Sequence, residues 1–119
     1  MNKRLIYSFV LTVFIAISSV SCSQPIFEKE LKFGIWASQN DLWDEAIYRW
    51  KKVLLSNPNS IAAHNNIAIA YEKKGLWEDA KKEYELALKL DPSNTYIKYN
   101  YQNFNENIKE VKKETDEKK

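Results

Sequence analysis

Leu42-Trp43-Asp44-Glu45-Ala46 and Leu76-Trp77-Glu78-Asp79-Ala80 are near-copies of one pentapeptide set 34 residues apart. The same offset carries Gly34 onto Ala68, Trp50 onto Tyr84, Leu54 onto Leu88, Asn57 onto Asp91 and Pro58 onto Pro92. A fixed period of this length means that one supersecondary unit is repeated and that its apolar faces are buried against its neighbours. Each conserved place in the period has a packing reason. Ala68 and Ala80 are small, so two helices can approach closely there. Tyr71, Trp77 and Tyr84 are the bulky groups that fill the space around them. Gly75 can take the left-handed conformation that ends a helix. Pro58 and Pro92 stop the helices before them, and Asn59-Ser60 and Ser93-Asn94 supply N-caps for the helices that follow.

The spacing therefore predicts helices over Glu28 to Gln39, Asp44 to Ser56, Ile61 to Lys74 and Trp77 to Leu90. A fifth helix begins near Thr95. Its apolar residues Ile97, Tyr101, Phe104, Ile108 and Val111 recur in steps of four and three, a single narrow stripe. One apolar face and one polar face suit the terminal helix of a stack. Residues 115–119 are all polar and are read as a frayed tail. Only 2 Gly and 3 Pro occur in the 119 residues, which also favours helices.

The pattern Ile67, Ala68, Tyr71, Gly75, Trp77, Ala80, Tyr84, Ala87 and Pro92 resembles the tetratricopeptide repeat. Residues 61–94 form a nearly complete copy. Residues 27–60 form an eroded one that keeps Phe33, Gly34, Trp43, Ala46, Trp50 and Pro58. The eroded copy departs at Ala37, where an aromatic is usual, and at Asp41, where the second copy has Gly75. The resemblance implies an all-α fold, a right-handed superhelical stack of antiparallel helix pairs. Two repeats are followed by a capping helix over 95–114. It also implies a protein-binding scaffold whose concave groove takes a peptide or a partner helix. By register, the groove positions are Leu31 and Ile35 in copy one, Asn65, Ile69 and Glu72 in copy two, and Tyr99 and Asn103 in the last helix. Asn65 is singled out because an amide both donates to and accepts from a peptide backbone. The basic residues with which some members clamp a C-terminal carboxylate are missing, so that mode is not expected.

About three repeats are normally needed for independent stability, and this chain has two and a half. A marginal monomer is the favoured expectation, with weak homo-oligomerisation as the alternative. Leu31, Ile35 and Trp36 on the first helix are read either as partly buried knobs or as a partner contact.

The N-terminus has a different character. Lys3 and Arg4 form a short positive region, Leu5 to Ile17 is an apolar run, and Ser18-Ser19-Val20-Ser21 leads to Cys22. This is the layout of a signal peptide over residues 1–21, and residues 22–26 follow as a short tether. The run is too short for a comfortable membrane span, which needs roughly 20 residues. Cys22 is the sole cysteine, so an internal disulfide is excluded. The segment resembles a bacterial lipoprotein signal, in which such a cysteine is lipidated. It departs at Ser19, where that family prefers Leu. The resemblance implies a lipid anchor at Cys22 and a place in the bacterial cell envelope, on its periplasmic or surface side. The alternatives are an ordinary secretory signal, giving a secreted or soluble periplasmic protein, and an uncleaved anchor.

Composition narrows the function further. The formal net charge is +2, and without Lys3 and Arg4 the basic and acidic side chains are equal in number. A neutral domain lacks the footprint of a nucleic-acid binder. Glu72, Glu78, Asp79, Glu83, Glu85, Glu110 and Glu114 interleave with the Lys-Lys pairs, making solvated helix faces. His64 is the single histidine, with no other ligand at metal spacing, and is read as structural. Asp44-Glu45 and Glu78-Asp79 each follow a tryptophan at a helix start, where negative charge suits the helix dipole. Neither a phosphate-binding loop nor a nucleophile with an adjacent base is present. The expectation is a protein that is not an enzyme and takes neither metal nor cofactor. It binds another envelope protein or peptide, or else serves as a structural, self-associating subunit of an envelope complex with no separable ligand.

Overall fold

The computed structural model describes residues 26–118. Five helices and no strands occur among them: α1 (Ile26–Gln39), α2 (Trp43–Ser56), α3 (Ile61–Lys73), α4 (Trp77–Leu90) and α5 (Thr95–Glu117). Helices α1 and α2 pair, α3 and α4 pair, and α5 lies on α4, so the helices form a repeat stack. The residues that start and stop each helix are largely those that the spacing predicts. Ser60 Oγ accepts the Ala63 amide at 3.3 Å, and Asn94 Oδ1 accepts the Ile97 amide at 3.1 Å. Each side-chain oxygen satisfies one donor that the first helical turn leaves unpaired. Asp91 ties the turn before α5 together, accepting from the Ser93 hydroxyl at 2.8 Å and the Asn94 amide at 3.2 Å.

Four boundaries differ from the expectation, the start of α2 at Trp43 and the end of α3 at Lys73 by one residue each, and two others by more. Ile26, assigned to the tether, is the first residue of α1, and α5 runs on to Glu117 where a frayed tail over 115–119 is predicted. The segment from Val111 to Glu117 contains neither Gly nor Pro, and Lys and Glu propagate a helix well even without tertiary contacts. The signal segment, Cys22 and the rest of residues 1–25 lie outside the described residues.

The core has two clusters. The first joins Ala37 of α1 to Ala46, Ile47, Trp50 and Val53 of α2 and Ala63, Ile67 and Ala70 of α3. The second joins Ala68 of α3 to Ala80, Tyr84 and Ala87 of α4 and to Ile97 and Phe104 of α5. Tyr71 touches both. Gly34 lets α1 lie close against the Trp50 indole of α2. A Cβ built on the glycine would stand 2.3 Å from Trp50 Nε1, the same nitrogen that donates to the Leu31 carbonyl at 3.2 Å.

The two intra-repeat turns have the same backbone but different residues. Asp41 has φ +58° and Gly75 has φ +70°. The left-handed conformation is strained for a residue with a Cβ, by roughly 1–2 kcal/mol. Asp41→Gly is therefore expected to stabilise the chain by up to about 1 kcal/mol. Gly75→Ala is expected to destabilise it by a similar amount, purely through the backbone, since nothing lies within 4 Å of the added carbon. Urea unfolding midpoints of the two variants should move in opposite directions.

Candidate functional site

The seven groove residues that the repeat register predicts divide into three groups in the structure. Leu31 and Ile69 are half-buried and pack on the first and second core clusters respectively. Ile35 and Tyr99 are exposed, at 40% and 62%. Asn65 and Glu72 are drawn in towards a common strip between α3 and α5, and Asn103 is half-buried on α5. Asn65 is only 4% exposed, and its Oδ1 accepts from Asn100 Nδ2 at 3.1 Å. Glu72 Oε1 accepts from Asn107 Nδ2 at 2.9 Å, while its Oε2 accepts from the Tyr84 hydroxyl at 3.1 Å. Asn65 is therefore already partly engaged. One lone pair of its Oδ1 is engaged by the neighbouring helix, and its Nδ2 remains as a donor.

Residues on α5 that the register did not single out complete the strip. Asn100 and Asn107, not Tyr99, reach back to α3. The inner stripe of α5 runs Tyr96, Asn100, Asn103 and Asn107, in steps of four, three and four, and Tyr99 lies about 70° from its centre at about 100° per residue. The offset of 34 contained a signal for this, because it maps Asn66 onto Asn100. At one end of the strip, Ile61, Ala62, Asn65, Asn66, Asn94, Tyr96 and Ile97 line a shallow cleft of about 350 Å³. The lining combines an aliphatic floor, amides able to donate and accept, and an aromatic ring that is 64% exposed. Such a surface can pair with a peptide backbone while covering apolar side chains. Further along the strip, beyond the cleft, stands the Glu72 carboxylate. The Tyr84 phenol that bonds it is pushed well above its ordinary value, first by burial and then by Glu72 itself, and so stays a donor.

A second cleft, of about 530 Å³, lies where the start of α4 meets the far half of α5. Leu76, Trp77, Ile108 and Val111 are its apolar lining, and none of the predicted groove residues borders it.

Two polar clusters have a structural reading. His64 Nδ1 lies 2.6 Å from Glu83 Oε2 and its Nε2 lies 2.9 Å from the Pro58 carbonyl oxygen, so both ring nitrogens face acceptors. That ties α3 to α4 and to the turn before α3. Glu30, nearly buried on α1, accepts from Lys52 at 2.8 Å and from Arg49 at 3.1 Å, both on α2. Arg49 also bonds Glu45 at 2.6 Å and stacks its guanidinium 4.3 Å from the Phe33 ring centroid.

The hydrogen bond from Lys52, aided by the one from Arg49, holds the Glu30 carboxyl below its ordinary value, and burial only partly opposes this. A carboxyl with a depressed folded value favours folding above its unfolded value and loses that contribution as the pH falls through the folded one. The α1–α2 contact should weaken below about pH 4.5, the ordinary value for this group. Urea midpoints taken at pH 5.5 and at more acidic pH are expected to fall less steeply for Glu30→Gln than for the wild type.

Among the described residues, no group of three or more His, Cys, Asp and Glu side chains could hold a metal ion. No helix among them is long and apolar enough to cross a membrane.

Comparison with known proteins agrees with this architecture. Residues 61–94 match the family model described as Tetratricopeptide repeat. The chain therefore carries a tetratricopeptide repeat in α3 and α4, within an all-helical repeat stack. Over 62 residues it is 36% identical to the protein O-mannosyl-transferase TMTC4 of Mus musculus, a match covering 52% of this chain and 8% of that protein. Over 70 residues it is 31% identical to the Hsp70-Hsp90 organizing protein 3 of Arabidopsis thaliana, covering 59% of this chain and 12% of that protein. The chain thus spans only a small part of the length of these relatives. Tetratricopeptide repeats are in general non-catalytic modules that bind protein partners.

Proposed function

We propose that this chain is a non-catalytic scaffold, tethered to a membrane of the bacterial envelope through Cys22. It holds a peptide or helix of a partner envelope protein along the α3–α5 strip and so helps a complex assemble there. The observation that carries the binding reading is the amide-lined strip of Asn65, Asn66, Asn100, Asn103 and Asn107 beside an exposed Tyr96, on the inner helices of a tetratricopeptide stack. The printed name of the plant relative, an organizing protein for two chaperones, supports protein binding as the general role. The tether rests on the residues before α1, where the apolar run and the small residues ahead of Cys22 resemble a lipoprotein signal.

Photo-crosslinkers placed at Tyr96 and Asn103 of the full chain in native membranes test the first part. Leu55 on α2, 85% exposed, is the control position. A discrete adduct from the two strip positions and none from Leu55 is expected; adducts from all three alike, or from none, would refute the strip. Fatty-acid labelling of the wild type and of Cys22→Ala tests the second part. Label that persists in the variant ends the lipid-anchor reading and leaves the first part intact.

A further inference from the structure

Each inner helix of the stack uses the same face to pack on the helix before it. In α3 this face is Ala63, Ile67 and Ala70, all fully buried in the cluster that contains Ile47, Trp50 and Val53 of α2. One period later it is Ile97, Tyr101 and Phe104, which pack against Ala80, Tyr84 and Ala87 of α4. One period earlier it is Lys29, Phe33 and Trp36 of α1. There the Arg49 guanidinium of α2 lies over the Phe33 ring, 4.3 Å from its centroid, and much of both rings stays open. Phe33 is 39% exposed and Trp36 50%, with ring centroids 5.1 Å apart.

The far end of the stack differs. The face by which α1 meets α2 includes Glu30, Gly34 and Ala37, and α3 meets α4 with His64, Ala68 and Tyr71. The same places on α5 hold Lys98, Gln102 and Asn105. Those three places are polar and suit water, although the apolar cleft of Leu76, Trp77, Ile108 and Val111 opens beside Asn105. The aromatic end is the one that calls for a cover.

We infer that the Lys29–Phe33–Trp36 face of α1 joins two copies of this chain about a two-fold axis. Head-to-tail stacking would press Phe33 and Trp36 onto Lys98 and Gln102, a poor match. Two aromatic ends instead meet as identical patches, the isologous arrangement. With the two α1 helices antiparallel and crossing at Phe33, Lys29 lies about 6 Å along the axis on one side and Trp36 about 4.5 Å on the other. Each Lys29 ammonium then comes over the Trp36 indole of the other copy, forming two cation–π pairs around a Phe33–Phe33 contact. A bilayer suits this face less well, because the charges beside it are largely paired, Glu28 with Lys32, and Glu30 and Glu45 with Arg49 and Lys52, which leaves little attraction to anionic lipid. The interface leaves the α3–α5 strip open and does not depend on what binds there.

Charge exchange tests this pairing. The full chain, purified in a non-ionic detergent, is examined by sedimentation equilibrium as wild type, Lys29→Glu, Trp36→Lys and the double variant, with helix content checked by circular dichroism. The wild type is expected to be a dimer. Each single substitution should weaken association at least about tenfold, equivalent to about 1.4 kcal/mol. The double variant should recover, because each new carboxylate meets the new ammonium of the other copy. Positions 29 and 36 are too far apart along one helix for that rescue to arise within a single chain. A wild type that stays monomeric overturns the inference, as does a double variant that fails to recover. In the monomeric case, flotation with phosphatidylcholine vesicles that is lost in Trp36→Lys would assign the face to lipid. Should a variant misfold, Phe33→Cys in the Cys22→Ala chain gives a second reading. Oxidation is expected to link two copies through position 33 and not through Tyr48→Cys on α2; linkage through neither, or through both equally, refutes the axis.

Discussion

Phe104→Ala is expected to lower stability by about 3–5 kcal/mol and to release α5 from the stack. Phe104 is fully buried and is among the largest side chains in the second cluster. Its ring lies 5.3 Å from that of Tyr84, 6.0 Å from Tyr101 and 6.3 Å from Trp77. Truncation removes the apolar area of the ring together with these aromatic contacts and leaves a cavity that α5, packed on one side only, cannot readily close. A small domain has only about 5–15 kcal/mol in total, so a loss of this size is a large share. The loss should also be local at first. Hydrogen exchange is expected to accelerate throughout α5 while α1 and α2 keep their protection, since the first cluster shares no residue with Phe104. Exchange that accelerates evenly along the chain would show that the stack unfolds as one unit and that α5 is not a separable cap. Release of α5 would also strip Asn100 and Asn107 from the candidate strip, so partner crosslinking from Tyr96 and Asn103 should vanish with it.

Gly34→Ala carries the second largest effect, and its sign runs against helix propensity. Replacing glycine inside a helix ordinarily gains about 1 kcal/mol. Here the new methyl would sit 2.3 Å from Trp50 Nε1 and 2.7 Å from Trp50 Cδ1. The indole is 3% exposed and its N–H is held by the Leu31 carbonyl, so it has nowhere to move without breaking that bond. Overpacking costs about 1–3 kcal/mol, and the lost hydrogen bond adds about 1 kcal/mol. A net destabilisation of roughly 1–3 kcal/mol is therefore expected. The double variant Gly34→Ala/Trp50→Leu should be less destabilised than the sum of its two single variants, because the smaller side chain makes room for the methyl. Strict additivity in urea melts would mean that the contact is not the cause.

The eroded first copy shows how much of this was legible beforehand. Gly34, Ala46, Trp50 and Pro58 could be recognised by register, and their packing roles hold because a repeat places equivalent residues in equivalent surroundings. The reason Gly34 is smaller than Ala68 was not legible. In the first copy its partner is Trp50, in the second it is Tyr84, and only the three-dimensional approach shows that the indole fills the space of a methyl. The four-three spacing of α5 marks Ile97, Tyr101, Phe104 and Ile108, which face the core, and also Val111, which stays 39% exposed beyond it. On the side facing α3 the register points to Tyr99 and Asn103 but not to Asn100 and Asn107, because periodicity alone does not determine how far a helix is rotated about its axis. Hydrogen bonds from Asn100 to Asn65 and from Asn107 to Glu72 make that rotation visible.

The amino-acid sequence by itself therefore determined the period, the helices, their caps and the all-α class. These depend on local backbone preferences and on hydrophobic spacing, which are written residue by residue. The tertiary structure alone decided which amides form the strip, that Asn65 is already engaged by a neighbour, and that one end of the stack is aromatic while the matching places at the other are polar. Those properties belong to pairs of residues far apart in the chain, and they exist only once packing has set the rotation and distance of each helix against the next.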